Sequence, residues 1–315
     1  MRPAFSVVFL TTLCGAAQGL MLALVAMEFA AGAGLLAPPE SAFYIAGAAV
    51  AVVLGGLGLL ASFFHLGHPE RAWRAIAMWR TSWLSRECLA LPAFLALAFL
   101  YGGAHAIGLS QGYTLTIGVV AVLAAAVLFV CTAMIYSCLR FLQEWASPLT
   151  MVNFVLLGCA SGFTLAALCA ACFAPSLAGN LALWACVLTV AGCVSRLASL
   201  ARNARLQPKS TVQSATGIVA QKVVQKSRGF TGSAFNMREF FHGKSPRTLQ
   251  TVKYGFLLGA FLVPFILLAL SLSLSAPVAL LVVAFVVQYA GLVAERWFFF
   301  AEARHPQNIY YQQAS

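Results

Sequence analysis

Residues 114–139, TLTIGVVAVLAAAVLFVCTAMIYSCL, form a long run without a single charged side chain. Wound as a helix at about 1.5 Å per residue, such a run crosses the ~30 Å hydrocarbon core of a bilayer, which takes about 20 residues. A helix satisfies its own backbone hydrogen bonds, so lipid can serve as its solvent. Applied to both sides of this stretch, the same rule finds spans near 5–34, 43–66, 86–108, 114–139, 150–174, 179–200, 252–274 and 277–300. Turn signals at Pro38-Pro39, Gly112, Pro148, Pro175 and Pro277 separate most of them. The expected fold class is an all-α integral membrane protein, an eight-transmembrane-helix bundle forming a single membrane domain over 1–315. The first run, from MRPAFSVVFL onward, is read as a retained helix: it is too long for a signal-peptide core, and no clear small-residue cleavage site follows.

Composition agrees. Apolar residues make up 62% of the 315 positions, charged residues 9%, and mean hydropathy is +0.90. A soluble domain carries about 25% charged residues on its water-facing surface. The net charge of +11 would suggest nucleic acid in a soluble protein. Here the cations sit in loops and at helix ends, so the lipid bilayer is the expected partner, not nucleic acid. Nine cysteines lie in or beside apolar runs; only Cys169 and Cys172 have a CxxC spacing, and without a second pair they are read as core residues rather than metal ligands.

Eight spans put both termini and the connectors 67–85, 140–149 and 201–251 on one face. All 19 Lys and Arg map to that face or to helix ends facing it, while the opposite face carries Glu40 and no basic residue. The positive-inside rule makes the basic face cytoplasmic, with the chain in a bacterial inner membrane. Within it, residues 69–80, PERAWRAIAMWR, read as a short amphipathic interfacial helix. At 100° per residue, Glu70, Arg71 and Arg74 share one arc, and Ala72, Trp73, Ile76 and Trp79 the other.

Ionisable groups within the membrane cost about 2.5–3.5 kcal/mol each on insertion scales, which makes them functional candidates. His65 ends the second span, Glu87 opens the third, and the interfacial helix joins them, so both are expected at one face and near each other. Arg80 and Arg86 flank them and Trp83 lies between. A titrating imidazole, a proton-accepting carboxylate, nearby cations and a stacking indole suit quinol oxidation, which releases two protons with two electrons. The same carboxylate could instead pair with an arginine at a helix start, where negative charge is favoured. Glu28, deep in the first span, is expected to hydrogen-bond a neighbouring helix, with a proton relay as the alternative. Glu144 and Glu295 are expected to pair with Arg140, Arg296 or other arginines. His65 has no second histidine across a ring plane, since His105 lies at the far face, so neither haem nor metal is expected in this chain. The long loop combines many Lys and Arg with Phe230, Phe235, Phe240 and Phe241. It reads either as a protein-docking surface or as a segment packed on its own bundle.

The stretch Phe64-His65-Leu66-Gly67-His68-Pro69-Glu70-Arg71-Ala72-Trp73-Arg74, followed by Trp79-Arg80-Thr81-Ser82-Trp83-Leu84-Ser85-Arg86-Glu87, resembles the membrane anchor subunits of dimethyl sulfoxide reductase, the DmsC type. The shared pattern is an H-L-G-x-P turn, an Arg/Trp interfacial helix and an L-S-x-E helix start. The resemblance implies a three-part complex: a molybdopterin catalytic subunit, a four-cluster iron–sulfur subunit and a haem-free anchor that exchanges electrons with menaquinol; with the residues above, the reading is an anchor that oxidises menaquinol or ubiquinol. It also implies that His65 and Glu87 belong to the quinol site. In the combined reading His65 hydrogen-bonds the quinol, Glu87 accepts a proton, Arg80 or Arg86 stabilises the anion, and the iron–sulfur partner docks over 201–251. The best-known members hold their catalytic subunits outside the cytoplasm, on the face bearing this histidine. The charge pattern here favours a cytoplasmic partner. A purely structural tether is the alternative. A secondary transporter would need paired broken helices and an internal repeat, and neither is visible.

Overall fold

A computed structural model of the chain describes residues 1–227, 234–274 and 277–312. Among the described residues, eight helices are long and apolar enough to cross a membrane: α1 Phe5–Gly32, α2 Ser41–Phe63, α3 Trp83–Ala106, α4 Gln111–Ser137, α5 Pro148–Phe173, α6 Pro175–Ala204, α7 Pro246–Ser273 and α8 Val278–Glu302. The chain is a multi-pass, all-α membrane bundle. Most ends fall within a few residues of those read from hydropathy, and capping explains the main departures. Ser82 accepts a hydrogen bond from the Ser85 amide and starts α3 at Trp83. Ser245 does the same for Thr248, with Pro246 in the first turn, so α7 begins in polar sequence that hydropathy assigns to the loop.

The two most enclosed helices are α1 and α5, and glycine lets them touch. Gly15 and Gly19 on α1 face Gly158 and Gly162 on α5, and a Cβ on Gly19 would stand 2.3 Å from the Gly158 carbonyl oxygen. Paired small-xxx-small motifs bring helix backbones together where the surrounding lipid offers no hydrophobic drive. Around this pair, α2 and α4 pack against α1 and α6 and α8 against α5, while α3 packs on α2 and α4, and α7 on α6 and α8. A second close crossing joins α7 to α8, where a Cβ on Gly291 would stand 2.2 Å from the Ala260 amide. That crossing falls within a π-turn, Leu258–Leu262, just ahead of Pro264.

The segment expected to be an α-helix over 69–80 winds instead as a 3-10 helix, Pro69–Met78. At three residues per turn the side chains stack in stripes. Trp73, Ile76 and Trp79 fall in one exposed stripe and Arg71, Arg74 and Arg80 in another, while Ala72 and Ala75 turn partly inward. The two stripes touch: the Arg74 and Arg80 guanidiniums lie 5.4 and 5.5 Å from the Trp73 and Trp79 ring centres.

Part of the long loop packs on its own bundle. A one-turn helix, Phe235–Glu239, hands its Glu239 carbonyl to the Arg2 amide. Asn236 donates to Gln307 and Tyr311, Asn308 donates to the Phe240 carbonyl, and His305 stacks on Phe240. The Met1 amino group donates to the Ala301 and Ala303 carbonyls, so the two ends of the chain meet on the basic face. Phe235 remains 62% exposed on this platform. Phe230 lies outside the described residues.

Candidate functional site at the basic face

His65 sits in the exposed turn after α2, its amide bonded to the Ser62 carbonyl. Partial burial of its ring lowers its pKa from the ordinary histidine value, so the imidazole is neutral near pH 7 and can either give or accept a hydrogen bond. Arg86, one turn into α3, closes back on the interfacial segment: its Nε donates to the Trp79 carbonyl at 2.9 Å and its Nη2 to the Arg80 carbonyl at 2.7 Å. Its guanidinium also covers the half-buried Trp83 ring at 4.2 Å. Arg86 is thus committed to holding the segment, and it occupies the indole face on which a quinol ring was expected to stack. Arg80 is exposed, 5.5 Å above the Trp79 ring.

Glu87 points the other way. It is 7% exposed and accepts a hydrogen bond from Thr132 of α4. It faces a narrow cavity of about 10 Å³, roughly what a single water needs. The cavity is lined from α1, α3, α4 and α5, by Thr11, Cys14, Gln18 and Phe154 among others; no residue of α2 or of 64–82 lines it. Among the described residues no hydrogen bond or ion pair joins Glu87 to His65 or to an arginine. The structure therefore gathers Arg80, Trp83 and Arg86 around the start of α3, leaves His65 in the exposed turn after α2, and turns Glu87 into the bundle. The expectation that imidazole and carboxyl converge on one cavity is not what the geometry shows. The reason is helical phase: in α3 the positions of Ser85, Glu87, Leu91 and Phe94 face the bundle.

Two buried clusters lie beyond the expected site. On the basic side, Arg196 of α6 (2% exposed) meets Glu295 of α8 (1% exposed) at 2.7 Å and Glu302 at 3.7 Å; Arg296 lies 3.7 Å from the other Glu295 oxygen. The expected partner of Glu295, Arg296, is present, joined by Arg196. Glu144, expected to pair with an arginine side chain, accepts the Arg304 amide instead. Near the opposite face, Glu28 accepts hydrogen bonds from Tyr101 and Thr114, with the His105 Nε2 at 3.5 Å and the His105 ring stacked on Tyr44. The hydrogen bond expected from Glu28 to a neighbouring helix is thus present, doubled. The signal for the Glu28 cluster was in the spans: alternating direction places the ends of α1 and α3 and the starts of α2 and α4 at one depth.

The model of the DMSO reductase anchor subunit (DmsC) family matches residues 1–302, the whole bundle to the end of α8. The chain belongs to that family. It is a multi-pass membrane anchor subunit of a molybdoenzyme complex. Over 326 aligned positions this DmsC-family chain is 52% identical to the C-subunit of sulfite dehydrogenase from Allochromatium vinosum, with both chains covered in full.

Proposed function

We propose that this anchor joins a sulfite-oxidising molybdoenzyme to the quinone pool, passing electrons from an iron–sulfur partner to menaquinone or ubiquinone at the basic face. The observation that carries this is the end-to-end likeness to a sulfite dehydrogenase component. That likeness favours electron delivery to quinone over the quinol oxidation read from the sequence. Sulfite oxidation releases two electrons, and quinone takes up two electrons and two protons, so the same site runs in the reductive direction.

In this reading the quinone headgroup lies against the lip formed by His65 and Arg80, beside the Trp73, Ile76 and Trp79 stripe. The neutral imidazole gives a hydrogen bond to one carbonyl oxygen, and Arg80 stabilises the charge that develops on reduction. Trp83, with Arg86 over its face, forms the wall. Glu87 is the buried proton group behind this surface rather than a direct ligand. The molybdopterin and iron–sulfur subunits dock on the platform built from the loop and both termini, with the exposed Phe235 among its cations. The density of Lys and Arg on this face supports a cytoplasmic location in the inner membrane.

The separate surroundings of His65 and Glu87 favour a second reading, a tether whose complex passes electrons elsewhere. One experiment divides the two. The purified complex is given sulfite and a short-chain quinone, with His65→Ala and Glu87→Gln variants assembled alongside. Quinone reduction lost in both variants, with subunit stoichiometry intact, is the expected result. Wild-type turnover in both removes these two residues from the site, and a wild-type complex that reduces no quinone leaves only the tether.

A further inference from the structure

We propose that a buried file of polar side chains carries protons between the basic aqueous surface and Glu87, entering under the loop rather than past the interfacial segment. This rests on the quinone-reducing reading above. It begins on α8, where Glu302 and Glu295, seven residues apart, lie on one helix face two turns from each other. Both meet the Arg196 guanidinium. Glu302 is the outer member, 18% exposed and 3.7 Å from the Arg196 Nη2. Glu295 is the inner one and hands the file to Arg296.

Arg296 brings it to the Glu87 cavity. Its guanidinium lies 3.7 Å over the Phe154 ring, and Phe154 is itself a wall of that cavity. Tyr136 stacks on the same ring at 5.7 Å and stands one helical turn beyond Thr132, the residue that hydrogen-bonds Glu87.

The file is not a closed set of ion pairs. Asn153 Oδ1, Ser195 Oγ, Arg196 Nε and Nη2, Glu295 Oε2 and Arg296 Nε are buried without a hydrogen-bond partner among the described residues. Arg196 Nε is close to Glu295 yet out of line for a hydrogen bond. The arginine and Glu295 atoms among these keep ion-pair contacts of 2.7–3.7 Å without an aligned hydrogen bond, a spacing that water bridges in protein interiors. A staple needs only matched pairs in good geometry. A proton path needs carboxyls that alternate with water and fixed cations that hold them. Guanidiniums stay protonated, so the carboxyls are the groups that take up and release the proton. For each quinone, two electrons arrive from the partner's iron–sulfur cluster, and two protons enter through Glu302 and Glu295 to Glu87, which passes them across the first turn of α3 to the quinone at the lip. Two O–H bonds form at the carbonyl oxygens, and nothing else is consumed.

The test uses the whole complex in lipid nanodiscs, with Glu302→Gln and Glu302→Asp variants and sulfite and quinone as substrates. Glu302→Gln is expected to lower kcat about a hundredfold, the lower end of the contribution of a positioned proton-transfer group. The KM for quinone stays unchanged, the solvent deuterium effect grows, and added azide or formate, small weak acids that ferry protons, restores turnover. Glu302→Asp, which keeps the carboxyl, retains most of the rate and covers the case in which the Gln variant fails to assemble. Wild-type kcat in Glu302→Gln, or a loss that weak acids do not restore, overturns the file. If Glu302→Gln behaves as wild type while Glu87→Gln is inactive, the file falls and the quinone site stands. If the wild-type complex reduces no quinone, the site reading falls with it.

Discussion

A Cβ placed on Gly162 would stand 2.2 Å from the carbonyl carbon of Gly19, so α5 and α1 meet backbone to backbone. No side-chain rotation can relieve an added group there, because the obstacle is main chain. Overpacking usually costs about 1–3 kcal/mol where neighbours can shift, and here the two central helices must move apart. Gly162→Val is expected to abolish the folded, detergent-stable protein. Gly179→Ala, on α6 with no atom within 4 Å of its added Cβ, is expected to leave thermal stability unchanged. Comparing melting temperatures of the two variants checks the assignment.

The Glu28 carboxylate is held by Tyr101 and Thr114 with His105 alongside, and it is 2% exposed. Tyr101→Phe strips one donor and leaves Oε2 unmet in a buried site, which costs about 1–3 kcal/mol and more when the acceptor is charged. A clear fall in thermal stability is expected. Quinone turnover at the basic face should be unchanged, because this cluster sits at the opposite end of the bundle. Lost turnover with unchanged stability would place Glu28 in the mechanism instead.

The bundle was legible because its determinants are local. Uncharged runs such as 114–139 specify the spans without tertiary knowledge. The winding of Pro69–Met78 was not, since an amphipathic pattern at 100° and one at 120° differ little over ten residues, and closure by Arg86 onto the Trp79 and Arg80 carbonyls decides between them. For the candidate site, sequence proximity placed His65 and Glu87 at the same depth. It could not fix which way Glu87 turns, a matter of helical phase against α1, α4 and α5. Nor could it show that Arg196 and Glu295, about 100 positions apart, face each other, because that depends on which non-adjacent helices are neighbours.

Arg86 ties the start of α3 to the end of the interfacial segment through two carbonyls and the Trp83 face. Hydrogen bonds to charged groups are worth about 1.5–3 kcal/mol each when shielded and less at a wet surface such as this one. Arg86→Ala is expected to speed hydrogen exchange across 69–82 severalfold while the spans stay protected. Arg86→Lys should not restore protection, because an ammonium cannot reach two carbonyls with a planar fork. Equal exchange in wild type and Arg86→Ala would show the segment to be held by lipid alone.

His305 couples the loop to the C-terminal end of α8 by stacking on Phe240 with centroids 3.7 Å apart and by meeting Phe141 edge-on. Burial, aided by positive charge at the chain's amino end, lowers its pKa from the ordinary value of 6.5. His242 on the same loop shifts the same way for the same reasons. A base whose folded pKa is depressed binds more protons when undocked, so docking gains stability as pH rises. That stability is fully present above the undocked value near 6.5 and is lost as pH falls through the lower docked value. Hydrogen exchange in 235–244 should therefore accelerate on going from pH 7.5 to pH 5, after correction for the intrinsic exchange rate. His305→Phe keeps the stack without the titration, so most of that acceleration should vanish and only the His242 share remain. A pH response unchanged in His305→Phe would assign the effect to other groups, and the Phe240 stack would then be a consequence of docking rather than its control.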